Sequence, residues 1–192
     1  MRSRPRQWPD GRRIVVANEG EPSSYGEIDS VDPKGSISII DVAPFEAARL
    51  QDGTAVGVTA ATIGFTAFNV SGARHGQLPA GIRLNGPDAS VAQDLEPEYV
   101  AIASDSRTAW VTLQEANAIA ILDLERRRVT AIKSLGSKRH SVPGNGLDPS
   151  DENGFSVGTW PVRWLYMPDA VAVAAIGGRR YLVTANEGDA RD

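Results

Sequence analysis

The sequence predicts an all-β fold, a β-propeller of four-stranded blades, on three observations. The motif Val15-Val16-Ala17-Asn18-Glu19-Gly20-Glu21 returns as Val183-Thr184-Ala185-Asn186-Glu187-Gly188-Asp189, with a weaker copy, Val111-Thr112-Leu113-Gln114-Glu115-Ala116, between them. A second pair, Pro97-Glu98-Tyr99-Val100-Ala101-Ile102-Ala103 and Pro168-Asp169-Ala170-Val171-Ala172-Val173-Ala174, keeps the same register. Pro97 and Pro168 stand 71 residues apart, and Glu115 and Glu187 stand 72 apart. The 19 Gly and 12 Pro, with aromatics at only 6%, mark a chain of many turns. Self-similarity at a fixed period means stacked copies of one structural unit.

Taken in order, the first copy occupies residues 13–60 and begins at its second strand, with no first strand visible before it. Its third strand reads Ser36-Ile37-Ser38-Ile39-Ile40-Asp41-Val42, repeated later as Ala118-Ile119-Ala120-Ile121-Leu122-Asp123-Leu124. A short helix is expected over residues 44–50, with Pro44 in its first turn. An insertion follows at 61–97. The complete blade is expected at 98–133, where four β-prone runs (99–103, 109–113, 118–124 and 129–132) alternate with polar turns. The first three runs are nearly continuous in apolar residues, as strands covered on both faces require; the fourth is shorter and reaches Lys133. A generic antiparallel sandwich competes with this reading, but two repeat pairs in one register favour stacked blades. A second insertion, 134–167, leads into 168–192, the start of the next blade.

A minimal propeller repeat is about 40 residues, so the observed spacing leaves roughly 30 residues per repeat in the two insertions. Both are rich in Gly, Pro and Asn, and loops of this length are functional or disordered. A closed ring takes at least about four blades, and fewer than three such repeats fit in 192 residues. The chain is therefore expected to be part of a larger ring, whose remaining blades it needs for closure.

Composition narrows the function. The formal net charge is −4, from 20 Lys and Arg against 24 Asp and Glu, with the basic residues scattered. That argues against nucleic acid as a partner. With no Cys and two His, thiolate chemistry is absent and a histidine metal cluster is close to excluded. The longest apolar run is far short of a transmembrane helix. The basic start, Met1-Arg2-Ser3-Arg4-Pro5-Arg6, is not followed by the apolar stretch of a signal peptide.

Candidate site residues follow from blade geometry. The loop entering a first strand and the loop leaving a second lie on the same face of a ring. That puts Glu96, Glu98 and Asp169 on one rim with Glu19, Glu21, Glu115, Glu187 and Asp189, beneath both insertions. Converging carboxylates repel one another unless a cation neutralises them. Oxygen ligands without Cys or His favour Ca²⁺ or Mg²⁺. The plainer alternative is that these acids cap turns. Asp148-Pro149-Ser150-Asp151-Glu152-Asn153-Gly154 loosely resembles a calcium loop, but it lacks the strict spacing and a distal Glu, so a solvated acidic turn competes. Lys138, Arg139 and His140 could contact a phosphate or carboxylate; a solvated loop is the alternative there. Asn69-Val70-Ser71 is a formal glycosylation sequon. No G-x-S-x-G elbow or phosphate-cradling glycine loop occurs, so a serine hydrolase has no support.

Several long segments resemble the choice-of-anchor I proteins, bacterial secreted or surface-attached β-propellers. They are Val16-Ala17-Asn18-Glu19-Gly20-Glu21-Pro22, Gly35-Ser36-Ile37-Ser38-Ile39-Ile40-Asp41, Val91-Ala92-Gln93-Asp94-Leu95-Glu96-Pro97-Glu98-Tyr99, Pro143-Gly144-Asn145-Gly146-Leu147-Asp148 and the last motif copy through Ala190-Arg191-Asp192. The resemblance implies the N-terminal part of a ring of about seven blades, built of four-stranded units like those of WD40 and YVTN repeats. It also implies an extracellular or cell-surface location. One departure is residues 69–79, helix-forming in the family, where Ser71-Gly72 and Leu78-Pro79 oppose a regular helix here. Two functions are expected. The first is a ligand-binding or interaction module for a small-molecule or surface ligand, with an acidic, calcium-competent rim. The alternative is a Ca²⁺-dependent phosphoester hydrolase, as the alkaline phosphatase-like, esterase-like and phytase-like labels of relatives imply.

Overall fold

The computed structural model describes residues 3–7, 11–24, 27–42, 59–84, 86, 88–152 and 154–188, the first of these stretches by its backbone. The helix expected at 44–50 lies outside the described residues.

The all-β expectation holds. The first sheet runs β1 (Ser3–Gln7), β2 (Arg13–Asn18), β3 (Ser36–Asp41) and β4 (Thr59–Gly64), each antiparallel to the one before. The second runs β5 (Pro97–Ile102), β6 (Thr108–Leu113), β7 (Ala118–Asp123) and β8 (Arg128–Ser134) in the same manner. A ribbon of β9 (Ser137–Arg139) and β10 (Arg163–Leu165) stands in the second insertion. The hairpin β11 (Pro168–Ile176) and β12 (Arg179–Asn186) follows.

The start of the chain corrects the sequence reading. The first sheet does not begin at its second strand: β1 pairs with β2, from Ser3 opposite Asn18 to Gln7 opposite Ile14. Ser-Arg-Pro-Arg-Gln shows neither apolar alternation nor β-branched residues, so nothing in it announces a strand. It stands at a sheet edge, the position that tolerates a proline.

The repeat is structural as well as textual. Both β5 and β11 bulge immediately after their opening proline, between Pro97 and Val100 and between Pro168 and Ala170. The residues before those prolines, Glu96 and Met167, are both left-handed, with φ of 37° and 41°. The sheets pack in chain order. Strand β5 lies against β1 and β2, and β11 lies against β5 and β6. The core between the first two sheets is made of Val15, Ala17, Ile37 and Ile39 with Val100, Val111, Leu113 and Leu122.

Insertion 61–97 is folded onto the sheets. Phe65 and Phe68 enter the core. The Arg74 guanidinium lies 4.5 Å from the Phe68 ring centroid and donates to the carbonyls of Val129 and Thr130 on β8. Helix α1 (Val91–Asp94) is one turn long and is closed by a capping box between Ser90 and Gln93. Within 69–79 the structure has a 3₁₀ turn at His75–Gln77 and no regular helix, in keeping with the Gly and Pro placed there.

Candidate functional site

Strand register fixes which ends lie together. In the first sheet Ser3 faces Asn18, Asn18 faces Ser36 and Ser36 faces Gly64. In the second Pro97 faces Leu113, Leu113 faces Ala118 and Ala118 faces Ser134. In the third Pro168 faces Asn186. Each first strand thus starts where its second strand stops, and both insertions leave from that same end.

The acids of that end divide by environment. Glu19, Glu96, Glu98 and Glu115 are buried, none more than 8% exposed. Asp169 is half-buried, Glu21 is half-buried and Glu187 is exposed. Asp189 lies outside the described residues. Glu19 and Glu96 approach each other's neighbourhood through Gly35, whose missing side chain lets the β2–β3 loop close on the start of β5. A Cβ there would stand 3.0 Å from the Glu19 carbonyl oxygen and 3.4 Å from the Glu96 nitrogen. Arg83 crosses the same region, donating to the Glu115 carbonyl at 3.3 Å. Among the described residues no three His, Asp or Glu side chains converge as a metal-ligand group.

Two buried polar side chains that sequence reasoning missed organise this end. The Asn117 side chain is fully buried. Its amide donates to the Gly136 carbonyl at 2.8 Å, and its oxygen accepts from the backbone N–H groups of Tyr166 and Met167 at 3.0 and 3.1 Å. It therefore ties the β6–β7 turn to the exit from β8 and to the entry into β11. The Thr112 hydroxyl accepts from the Tyr99 N–H at 2.9 Å, inside the β5 bulge, and lies 3.4 Å from the Asp169 carbonyl of the neighbouring sheet. Asn117 stands in a turn triplet singled out only as polar turn material, and Thr112 in a strand read as apolar. The left-handed backbone of Asn117 (φ 50°) is a conformation Asn is suited to.

Residues of both insertions also make local structural contacts. Asp148 accepts from the Ser156 N–H at 2.7 Å and from the Ser150 N–H at 3.4 Å, so its carboxylate closes its own loop. The Asn69 oxygen accepts from the Ala92 N–H at 2.9 Å, which puts the sequon asparagine to use in holding α1. His75 meets the Phe68 carbonyl through Nδ1 at 3.0 Å.

The basic triplet separates. Lys138 and His140 line a cavity of about 410 Å³ with Asp148, Trp164, Tyr166 and Asn186; Arg139, between them on an alternating strand, is not in its lining. A larger groove of about 520 Å³ opens between β5 and the β11–β12 hairpin, but Ala and Val dominate its walls and it carries no ionisable side chain except Tyr99. The smaller cavity has the chemistry.

At the opposite sheet end Asp41 is bound by Arg13 on β2 and by Arg127 from the β7–β8 turn, joining the first two sheets. Burial pushes the Asp41 carboxyl up. The Arg13 hydrogen bond and the charges of Arg127 and Arg13 outweigh burial and hold it below the ordinary value.

Chain-ordered antiparallel sheets, recurring bulges and insertions gathered at one end define a β-repeat protein with an insertion-covered face. The family model of the choice-of-anchor I domain matches residues 7–192, and the chain belongs to that family. None of the curated proteins compared with it matches. Among the described residues no helix is long and apolar enough to cross a membrane.

Proposed function

We propose that this chain forms blades of a β-propeller serving as a ligand-binding or interaction module, secreted or at the cell surface. Its working face is the sheet end that bears the insertions. The observation that carries the reading is the shared register: three successive units start their first strand at the same end, and both insertions leave from it. The neighbouring positions of β1, β5 and β11 support an axis on the first-strand side. A ring of this kind takes further blades, and family membership supports the location outside the cell. The buried and half-buried acids of that face are the candidate calcium ligands, with Glu98 foremost because it lies within the β5 bulge.

Two measurements test this reading. Assay of p-nitrophenyl phosphate and phytate, with and without Ca²⁺, is expected to give no turnover. Calcium-dependent phosphate release would replace the module with a phosphoester hydrolase. Calorimetric titration of Ca²⁺ into wild type and Glu98→Gln, beside their melting curves, tests the rim. Calcium heat lost in a variant that melts normally supports an ion-holding rim. Lower stability with an unchanged calcium response assigns Glu98 to structure alone.

A further inference from the structure

We infer that the cavity between the second insertion and the third motif copy is a binding site for a sugar-sized molecule carrying one anionic group. The inference rests on the reading of the chain as a ligand-binding module and deepens it.

His140 is the first observation. It is only 6% exposed, lines the cavity, and neither ring nitrogen has a hydrogen-bond partner. A buried polar group left unmade costs about 1–3 kcal/mol. Both ring nitrogens are closed off from solvent, so a ligand in the cavity supplies the missing partner as the imidazole turns towards it.

The second observation is what surrounds it. Lys138 pairs directly with Trp164 across the β9–β10 ribbon, and His140 follows two residues along, its ring edge-on to the indole with centroids 6.2 Å apart. Trp164 is 54% exposed, so the indole keeps open surface beside the cavity. Open indole surface beside hydrogen-bonding groups suits a ring that has an apolar side and polar substituents. Gly188 of the third motif copy fits against the indole; a Cβ there would lie 3.1 Å from Trp164 Nε1.

Charge decides the remaining substituent. Asp148 also lines the cavity, but both of its oxygens accept from backbone N–H groups of its loop. Lys138 forms no ion pair among the described residues. The unused donors are therefore those of the Lys138 ammonium, three with no protein acceptor among the described residues, and a carboxylate or phosphate is the acceptor that also balances its charge. The volume of about 410 Å³ lies in the range of small-molecule sites.

The chain has two histidines, so proton NMR of the imidazole Cε1–H signals reads the site directly, with His75 on the other insertion as internal control and His140→Gln as assignment. Glucuronate and glucose 6-phosphate are each titrated, beside glucose and inorganic phosphate. A saturable shift of the His140 signal is expected with one or both anionic sugars, while His75 stays still. Glucuronate alone would make the group a carboxylate, glucose 6-phosphate alone a phosphate. Glucose and inorganic phosphate are expected to bind at least about tenfold more weakly, as is the better anionic sugar to Lys138→Gln, in line with a lost charge-assisted bond. An unmoved His140 signal with both anionic sugars overturns the site and leaves the module reading standing. Equal binding of glucose overturns the anionic part, and equal binding of inorganic phosphate overturns the sugar part. Shift of His140 together with hydrolysis of glucose 6-phosphate would keep the site and remove the module reading instead.

Discussion

The Asn117 side chain binds three backbone groups from two separate stretches of chain. Replacing it by Ala leaves the Gly136 carbonyl and the Tyr166 and Met167 N–H groups without their partner. Each group orphaned in a buried place costs about 1–3 kcal/mol, so Asn117→Ala is expected to destabilise the fold by at least about 2 kcal/mol in denaturant unfolding. Asn117→Asp keeps the acceptor and loses the donor, and should fall between the two. A loss under about 0.5 kcal/mol for Asn117→Ala would mean that these groups find other partners. Asp41 gives a second prediction at this scale, through pH. Its carboxyl is held below the ordinary value in the folded chain, so the stability it adds is fully present above about pH 3.9. That contribution is lost as pH falls through the lowered folded value. The melting temperature of wild type should exceed that of Asp41→Asn at neutral pH, and the gap should close in acid. A gap that is constant across the acid range would remove the ion pairs as its cause.

At the scale of elements, the strands with apolar runs were legible and the junctions were not. Ala118 to Asp123 reads as a covered strand because successive residues are apolar, and it is one. Strand β1 was illegible because its pairing partner, not its own Ser-Arg-Pro-Arg-Gln, makes it a strand. The rim could be placed because register follows from repetition, whereas the burial of four of its acids depends on which loops fold over them. The shared side of Lys138 on β9 and His140 just beyond its end could have been read from spacing, had the second insertion been credited with a strand. Gly35 tests how tightly these junctions close. A methyl at that position meets the Pro97 ring and the Glu19 carbonyl, and its N–H already bonds the Ala92 carbonyl at 2.9 Å. Overpacking of this kind costs about 1–3 kcal/mol. Gly35→Ala should lower the unfolding free energy by that order, while Gly64→Ala, with open space around it, serves as the tolerated control. Equal stability of the two variants would show that the loop yields.

For the whole molecule, the third sheet sets the behaviour in solution. The hairpin β11–β12 packs on β5 and β6 through one side. The other side leaves Ile176, Tyr181 and Val183 between 44% and 63% exposed. Strand β12 pairs only with β11 among the described residues, so its outer edge carries backbone donors and acceptors free to template another strand. Apolar side chains clustered beside an open edge are a recognised route to association. In a propeller, the next blade covers such a face, which is how one surface serves both stacking and, when uncovered, self-association. The 192-residue chain is therefore expected to associate as its concentration rises, with sedimentation coefficients that increase across a dilution series. Val183→Lys puts a charge on the exposed face and should shift the series towards monomer without lowering the melting temperature, since that side chain is 55% exposed and contributes little to the core. A sharp, concentration-independent melt of a monomeric wild type would mean that the hairpin face is self-sufficient, and it would count against a stacked blade as the partner this face is shaped for.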